Sequence, residues 1–163
     1  MNTEEKVAKP WELFSSWMTA KESNKWMNIL FKQLSWYRPI VKVFGNEYFV
    51  PRMSYFLGRT GLTYRYSGTT HYGNGWPDWF LPLLRRVQEK SKVKFNGCLL
   101  NYYRNGNDRM GWHCDDEPEL DKTKSIASLS LGSGRDFCLK HKKLKLKEKL
   151  FLDNGDLLIM HPE

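Results

Sequence analysis

The residues best suited to chemistry are His113 and Asp115, separated only by Cys114. In an extended strand, side chains two positions apart project to the same face. An imidazole and a carboxylate at that spacing can converge on one metal ion. A second histidine would complete the two-histidine, one-carboxylate face of non-haem iron sites. That face leaves positions open for a co-substrate and O2. A His-X-Asp pattern occurs often by chance, so by itself it marks only a polar loop. Three other histidines are available. His71 lies in the polar stretch Thr69-Thr70-His71-Tyr72-Gly73 and reads as a surface or substrate-edge residue. His141 sits among lysines and reads as solvated. His161 reads as an ordinary strand-end residue. Cys114 is expected to point away from the pair and to pack.

The pair needs strands to hold it. Cys98 to Tyr103 reads as a strand, followed by the turn-rich Arg104-Asn105-Gly106-Asn107-Asp108. Ile126 to Leu131, Phe137 to Leu139, Leu144 to Leu152 and Leu157 to Met160 read as further strands. The last two are joined by the turn Asp153-Asn154-Gly155-Asp156. The front half carries the helical signals. Thr19 and Glu22 have capping-box spacing ahead of Trp26, Met27, Leu30, Phe31 and Leu34, which recur at helical intervals. A second helix is expected from Pro77 to about Lys90. Ile40 to Phe44 and Tyr48 to Val50 flank Gly45-Asn46 as a hairpin. Trp11, Trp17, Trp26 and Trp36 are read as core aromatics. Helices followed by short antiparallel strands suggest one domain, with helices buttressing a sandwich or jelly roll. The strand from Leu157 is expected to lack a partner, leaving an open edge.

Composition narrows the function. At 163 residues and 40% hydrophobic, the chain can bury one sizeable core. Its 15% aromatic content excludes global disorder. No apolar run is long enough to span a membrane, and the polar start Met1 to Lys6 lacks a signal-peptide core. Three cysteines with no CxxC pair fit a reducing, intracellular compartment. The net charge of +8 favours a polyanionic partner. Lys140, Lys142, Lys143, Lys145, Lys147 and Lys149 form a basic run. It reads either as a protected edge hairpin or as a strip that contacts a phosphate backbone. Arg135 and Asp136 read as a structural ion pair.

The stretch Phe95 to Lys140 resembles the AlkB-like family of Fe(II)- and 2-oxoglutarate-dependent dioxygenases. The shared pattern is Asn101-Tyr102-Tyr103, a Gly/Asp turn, then Trp112-His113-Cys114-Asp115-Asp116-Glu117. Ser125 to Gly132 and Arg135-Asp136-Phe137 follow it. Pro51-Arg52, Gly61 to Gly68 and Gly155 to Met160 also look like family segments, so the resemblance spans roughly Pro51 to Met160. It implies that His113 and Asp115 are iron ligands and that Asn101 and Tyr103 hydrogen-bond 2-oxoglutarate. It implies that Tyr64 and Tyr66 line the base pocket, one of them stacking a flipped base opposite His113. Glu117 would reach the polar edge of that base. The family's third ligand, a histidine, and two arginines would lie beyond Glu163. Residues 1–163 alone are therefore expected to turn over 2-oxoglutarate negligibly.

The expected fold is α+β and mainly β: a double-stranded β-helix (jelly-roll) core with N-terminal helices and its last strands absent. Residues 1–163 form one domain, with 1–35 a helical extension and 36–163 an incomplete catalytic core. The resemblance implies oxidative demethylation of alkylated DNA or RNA bases, of the DNA-repair type, using Fe(II), 2-oxoglutarate and O2. A monomer without membrane attachment is expected. Two other readings stay open: a non-catalytic basic nucleic-acid-binding domain, and a related oxygenase acting on protein or lipid.

Overall fold

A computed structural model describes residues 9–66, 68–141 and 143–162. Ser67 of the Gly61–Gly68 segment, Lys142 of the basic run, residues 1–8 and Glu163 lie outside the described residues. In chain order the elements are β1 (Trp11–Phe14), α1 (Ala20–Gln33), β2 (Ile40–Val43), β3 (Asn46–Phe49), β4 (Met53–Gly58), β5 (Thr63–Tyr66) and β6 (Thr69–Tyr72). They continue with α2 (Leu81–Ser91), β7 (Gly97–Tyr102), β8 (Ile126–Leu129), β9 (Arg135–His141), β10 (Leu146–Leu152) and β11 (Leu157–Met160). The chain is α+β and mainly strand. It divides into two compact units, Met1–Lys32 with Lys122–Glu163, and Gln33–Asp121.

In the first unit, β11 lies between β1 and β8, antiparallel to both. The expected open edge at Leu157–Met160 is therefore closed. Leu157, Leu158 and Ile159 are buried, so both faces of this middle strand are covered. The strand that closes the edge is Trp11-Glu12-Leu13-Phe14, in a segment expected to be helical. Four residues are too few to show a period, and the Thr19 capping signal masked them. Trp11 packs with Leu152 and Leu158, and its indole N–H donates to Glu148 Oε2 at 2.7 Å.

The α1 start has the expected capping box. The Glu22 N–H donates to Thr19 Oγ1 at 3.3 Å, and the Thr19 N–H donates to Glu22 Oε2 at 3.1 Å. Asp153 to Asp156 form the expected turn. Gly155 has φ +90, and a Cβ there would collide with the Met18 carbonyl, so only glycine fits. β9 and β10 pair over their whole length, with leucines inward and lysines outward. His141, expected to be solvated, is buried, and its Nδ1 accepts from the Leu144 N–H at 3.0 Å.

In the second unit, β4 pairs with β7, β5 with β6, and β2 with β3. The last is the expected hairpin, turning at Phe44-Gly45. α2 starts later than expected, at Leu81, because Pro77 to Phe80 make a preceding turn and Pro82 occupies the first helical turn.

Candidate functional site

β7 carries Asn101, and its cross-strand neighbour on β4 is Ser54. Asn101 Oδ1 accepts from Ser54 Oγ and from Arg52 Nε, each at 3.1 Å. With the oxygen so engaged, the amide nitrogen is the part of Asn101 suited to donate to an acidic ligand. Tyr103 follows just past the end of β7.

Beyond Tyr103 the chain runs through an irregular segment to Ser125. The Asp108 carboxylate organises its start. It accepts from the Arg104 backbone N–H at 2.9 Å, from Nε at 2.7 Å and from Nη2 at 2.8 Å. Those bonds hold the buried Asp108 well below the usual carboxylate range. The Arg109 N–H donates to the Pro51 carbonyl at 2.9 Å, tying the loop to the entry of β4.

His113 and Asp115 were expected on a strand. They lie instead in this irregular segment, where Gly106, Gly111 and Pro118 interrupt any ladder. Their side chains still face each other, with His113 Nε2 3.5 Å from Asp115 Oδ1. His113 Nδ1–H donates to the Gly111 carbonyl at 2.9 Å. With Nδ1 so engaged, Nε2 is the ring nitrogen that faces Asp115 and, once deprotonated, the one suited to a metal. A hydrogen bond from His113 Nε2–H to the Asp115 carboxylate, opposed by partial burial, raises the His113 pKa. The chemistry of this donor pair suits a divalent metal. Among the described residues, no group of three His, Cys, Asp or Glu side chains is placed to hold one. Cys114 is exposed rather than packed.

The aromatic residues converge on the same pair. The Tyr66 ring stands edge-on to His113, with centroids 6.2 Å apart and planes at 74°. Tyr64 stacks against Tyr66 at 6.0 Å and 16°. Tyr66 is buried, and its hydroxyl reaches Met110 Sδ at 3.5 Å. Burial raises both tyrosine pKa values. Glu117 and Asp115 raise them further, so both carboxylates lie within electrostatic reach of the rings. Tyr103 adds to the effect on Tyr66, and Arg52 opposes it. Glu117 Oε2 is buried without a hydrogen-bond partner among the described residues. A buried, unsatisfied carboxylate oxygen is costly unless a ligand meets it.

Sequence reasoning gave Arg52 no role of its own. It is buried, and its charge opposes the upward shifts of both Tyr66 and His113. The family-like Pro51-Arg52 segment pointed to its position, but no spacing linked it to Asn101, 49 positions later. His71 was read as a surface or substrate-edge residue; it is not at the surface but buried on β6, directly opposite Tyr64. His161, the other candidate metal partner, has both ring nitrogens engaged. Nδ1 bonds Ser125 Oγ at 3.0 Å and Nε2 bonds Glu12 Oε1 at 2.8 Å.

Comparison with known proteins decides the family. The family model of the 2OG-Fe(II) oxygenase superfamily matches residues 11–163. The chain belongs to that superfamily. Within it, the chain is AlkB-like. It is 40% identical over 135 residues to the DNA oxidative demethylase ALKBH2 of Bos taurus, a match covering 75% of this chain and 47% of that protein. To the human protein of that name it is 38% identical, covering 75% and 50%. It is 34% identical over 161 residues to the alpha-ketoglutarate-dependent dioxygenase alkB homolog 3 of Mus musculus, covering 91% and 54%. The chain spans about half the length of the curated relatives it matches. Fe(II) and 2-oxoglutarate are the metal and co-substrate of the superfamily.

Proposed function

We propose that the protein removes methyl groups oxidatively from alkylated nucleic-acid bases, using Fe(II), 2-oxoglutarate and O2. The observation that carries this reading is the contact between Tyr66 and His113, which brings the paired tyrosine rings beside the His113–Asp115 donor pair. His113 Nε2 and Asp115 Oδ1 would hold Fe(II). Asn101, oriented by Arg52 and Ser54, would donate to 2-oxoglutarate, with Tyr103 beside it. Tyr64 and Tyr66 would stack a base taken out of its helix, standing in for the neighbouring bases it leaves on flipping. The buried Glu117 oxygen would accept from the polar edge of that base and would favour the positive charge that N-alkylation confers. Bound iron with 2-oxoglutarate supplies the oxidising power; the protein supplies geometry, base capture and exclusion of water.

On this reading the fold is a jelly roll, and the protein is a monomer of a reducing intracellular compartment. The relatives named as DNA oxidative demethylases favour DNA as substrate. The test is succinate release by the whole protein with Fe(II), ascorbate and 2-oxoglutarate. A methylated oligonucleotide should stimulate release strongly, and the unmodified strand should not. Equal release with both strands would point to a protein or lipid substrate. Oligonucleotide binding without any succinate would point to a binding domain.

A further inference from the structure

His71 is a buried ionisable group that the chemistry above does not use. It sits on β6 directly across from Tyr64 on β5. Its ring packs against Tyr64 at 6.1 Å and 26°, and against Phe56 at 5.4 Å. Its Nδ1 lies 2.9 Å from the Tyr37 hydroxyl. Burial lowers the His71 pKa and raises that of Tyr37, so the imidazole is neutral and the phenol keeps its proton. Donation from the hydroxyl to Nδ1 leaves the ring proton on Nε2.

A two-stranded hairpin is marginal by itself, and β5–β6 forms a two-stranded sheet. It nonetheless carries both tyrosines of the stack that ends at His113. The Tyr37–His71 bond ties it to a segment that is itself anchored, because Tyr37 and Ser54 exchange backbone hydrogen bonds across an isolated bridge to β4. An aliphatic residue could fill the space under Tyr64. A histidine adds a hydrogen bond that fixes the plane of the ring on which Tyr64 rests.

We propose that His71, clamped by the Tyr37 hydroxyl, is a positioning residue that sets the orientation of the Tyr64–Tyr66 stack for base capture. This rests on the base-demethylation reading and extends it to residues that never touch the base. Tyr37→Phe removes only the hydroxyl, and His71→Phe keeps a ring but removes the acceptor. Binding of methylated and unmodified single strands is compared for the full chain and both variants. Each variant should lower the preference for the methylated strand by about 3- to 10-fold, the span of one neutral hydrogen bond's net contribution. The salt dependence of binding should not change. In the whole enzyme, KM for the methylated strand should rise with kcat largely kept. A purely structural role would instead weaken both strands alike.

A second readout does not depend on substrate. The 15N spectrum of His71 should show a neutral ring protonated at Nε2, and Tyr37→Phe should shift the ring resonances of Tyr64 and Tyr66. A proton on Nδ1, or unmoved tyrosine resonances, would overturn the proposal. So would an unchanged methylated-strand preference in both variants. If the wild type itself shows no such preference, the base-capture reading fails, and the tyrosine resonances alone decide whether His71 sets the stack.

Discussion

Tyr66 joins the two halves of the proposed chemistry, since one edge of its environment is the stack with Tyr64 and the other is His113. Replacing it by alanine should weaken capture of a methylated single strand by ~1–3 kcal/mol, the usual value of a base–aromatic stack. The check is a binding titration, in which the salt slope should stay as in the wild type. Asp108 acts on the same loop from a distance. Its three bonds from Arg104 depress its pKa. A depressed carboxylate contributes stability that is fully present above the unfolded pKa, about 3.9, and is lost as the pH falls through the folded value. Asp108→Asn should therefore lower Tm by a constant amount at neutral pH. The gap should narrow as the pH falls below about 4, because the unfolded chain then takes up a proton that the folded Asp108 does not bind. At this scale the sequence showed which residues pair, since the side chains of His113 and Asp115 do face each other, but not that an irregular segment rather than a strand holds them. It was silent where partners come from far along the chain. His71 looked exposed because its own neighbours are polar; Tyr37, 34 positions earlier, and Phe56 cover it.

The elements follow the same division. The capping box of α1, the β2–β3 hairpin and the turn at Gly155 depend on residues within a few positions of each other, and all were readable. β1 was not, because four residues carry no period and its partner β11 is nearly 150 positions away. Its importance is testable. Trp11 is 8% exposed and packs with Leu152 and Leu158. Trp11→Ala should cost ~3–5 kcal/mol, the usual range for removing a large aromatic from a core. Chemical denaturation of the full chain measures it. A loss below about 1 kcal/mol, the level of an ordinary surface substitution, would mean that β1 does not close the β11 edge.

For the whole molecule, charge was the most legible property. The excess of +8 is partly displayed on β9–β10, where Lys140, Lys143, Lys145 and Lys147 are exposed. Lys149 is engaged with Asp136 at 2.8 Å. Replacing the four exposed lysines by alanine should flatten the salt dependence of oligonucleotide binding. Each phosphate contact removed should lower the slope by ~0.7–0.9, the counterion-release value. Preference for a methylated base should be untouched. An unchanged slope would leave the run as a solvated hairpin edge. The division into two units was not legible, because the first unit is assembled from both ends of the chain. The most direct test of the account is the mass of a methylated single-stranded oligonucleotide after incubation with the whole protein, Fe(II), 2-oxoglutarate and O2. Loss of the methyl group is expected, abolished by His113→Ala and by Asp115→Ala, and sharply reduced by Tyr66→Ala. An unchanged strand with the wild type, or full demethylation by the His113 and Asp115 variants, would contradict it.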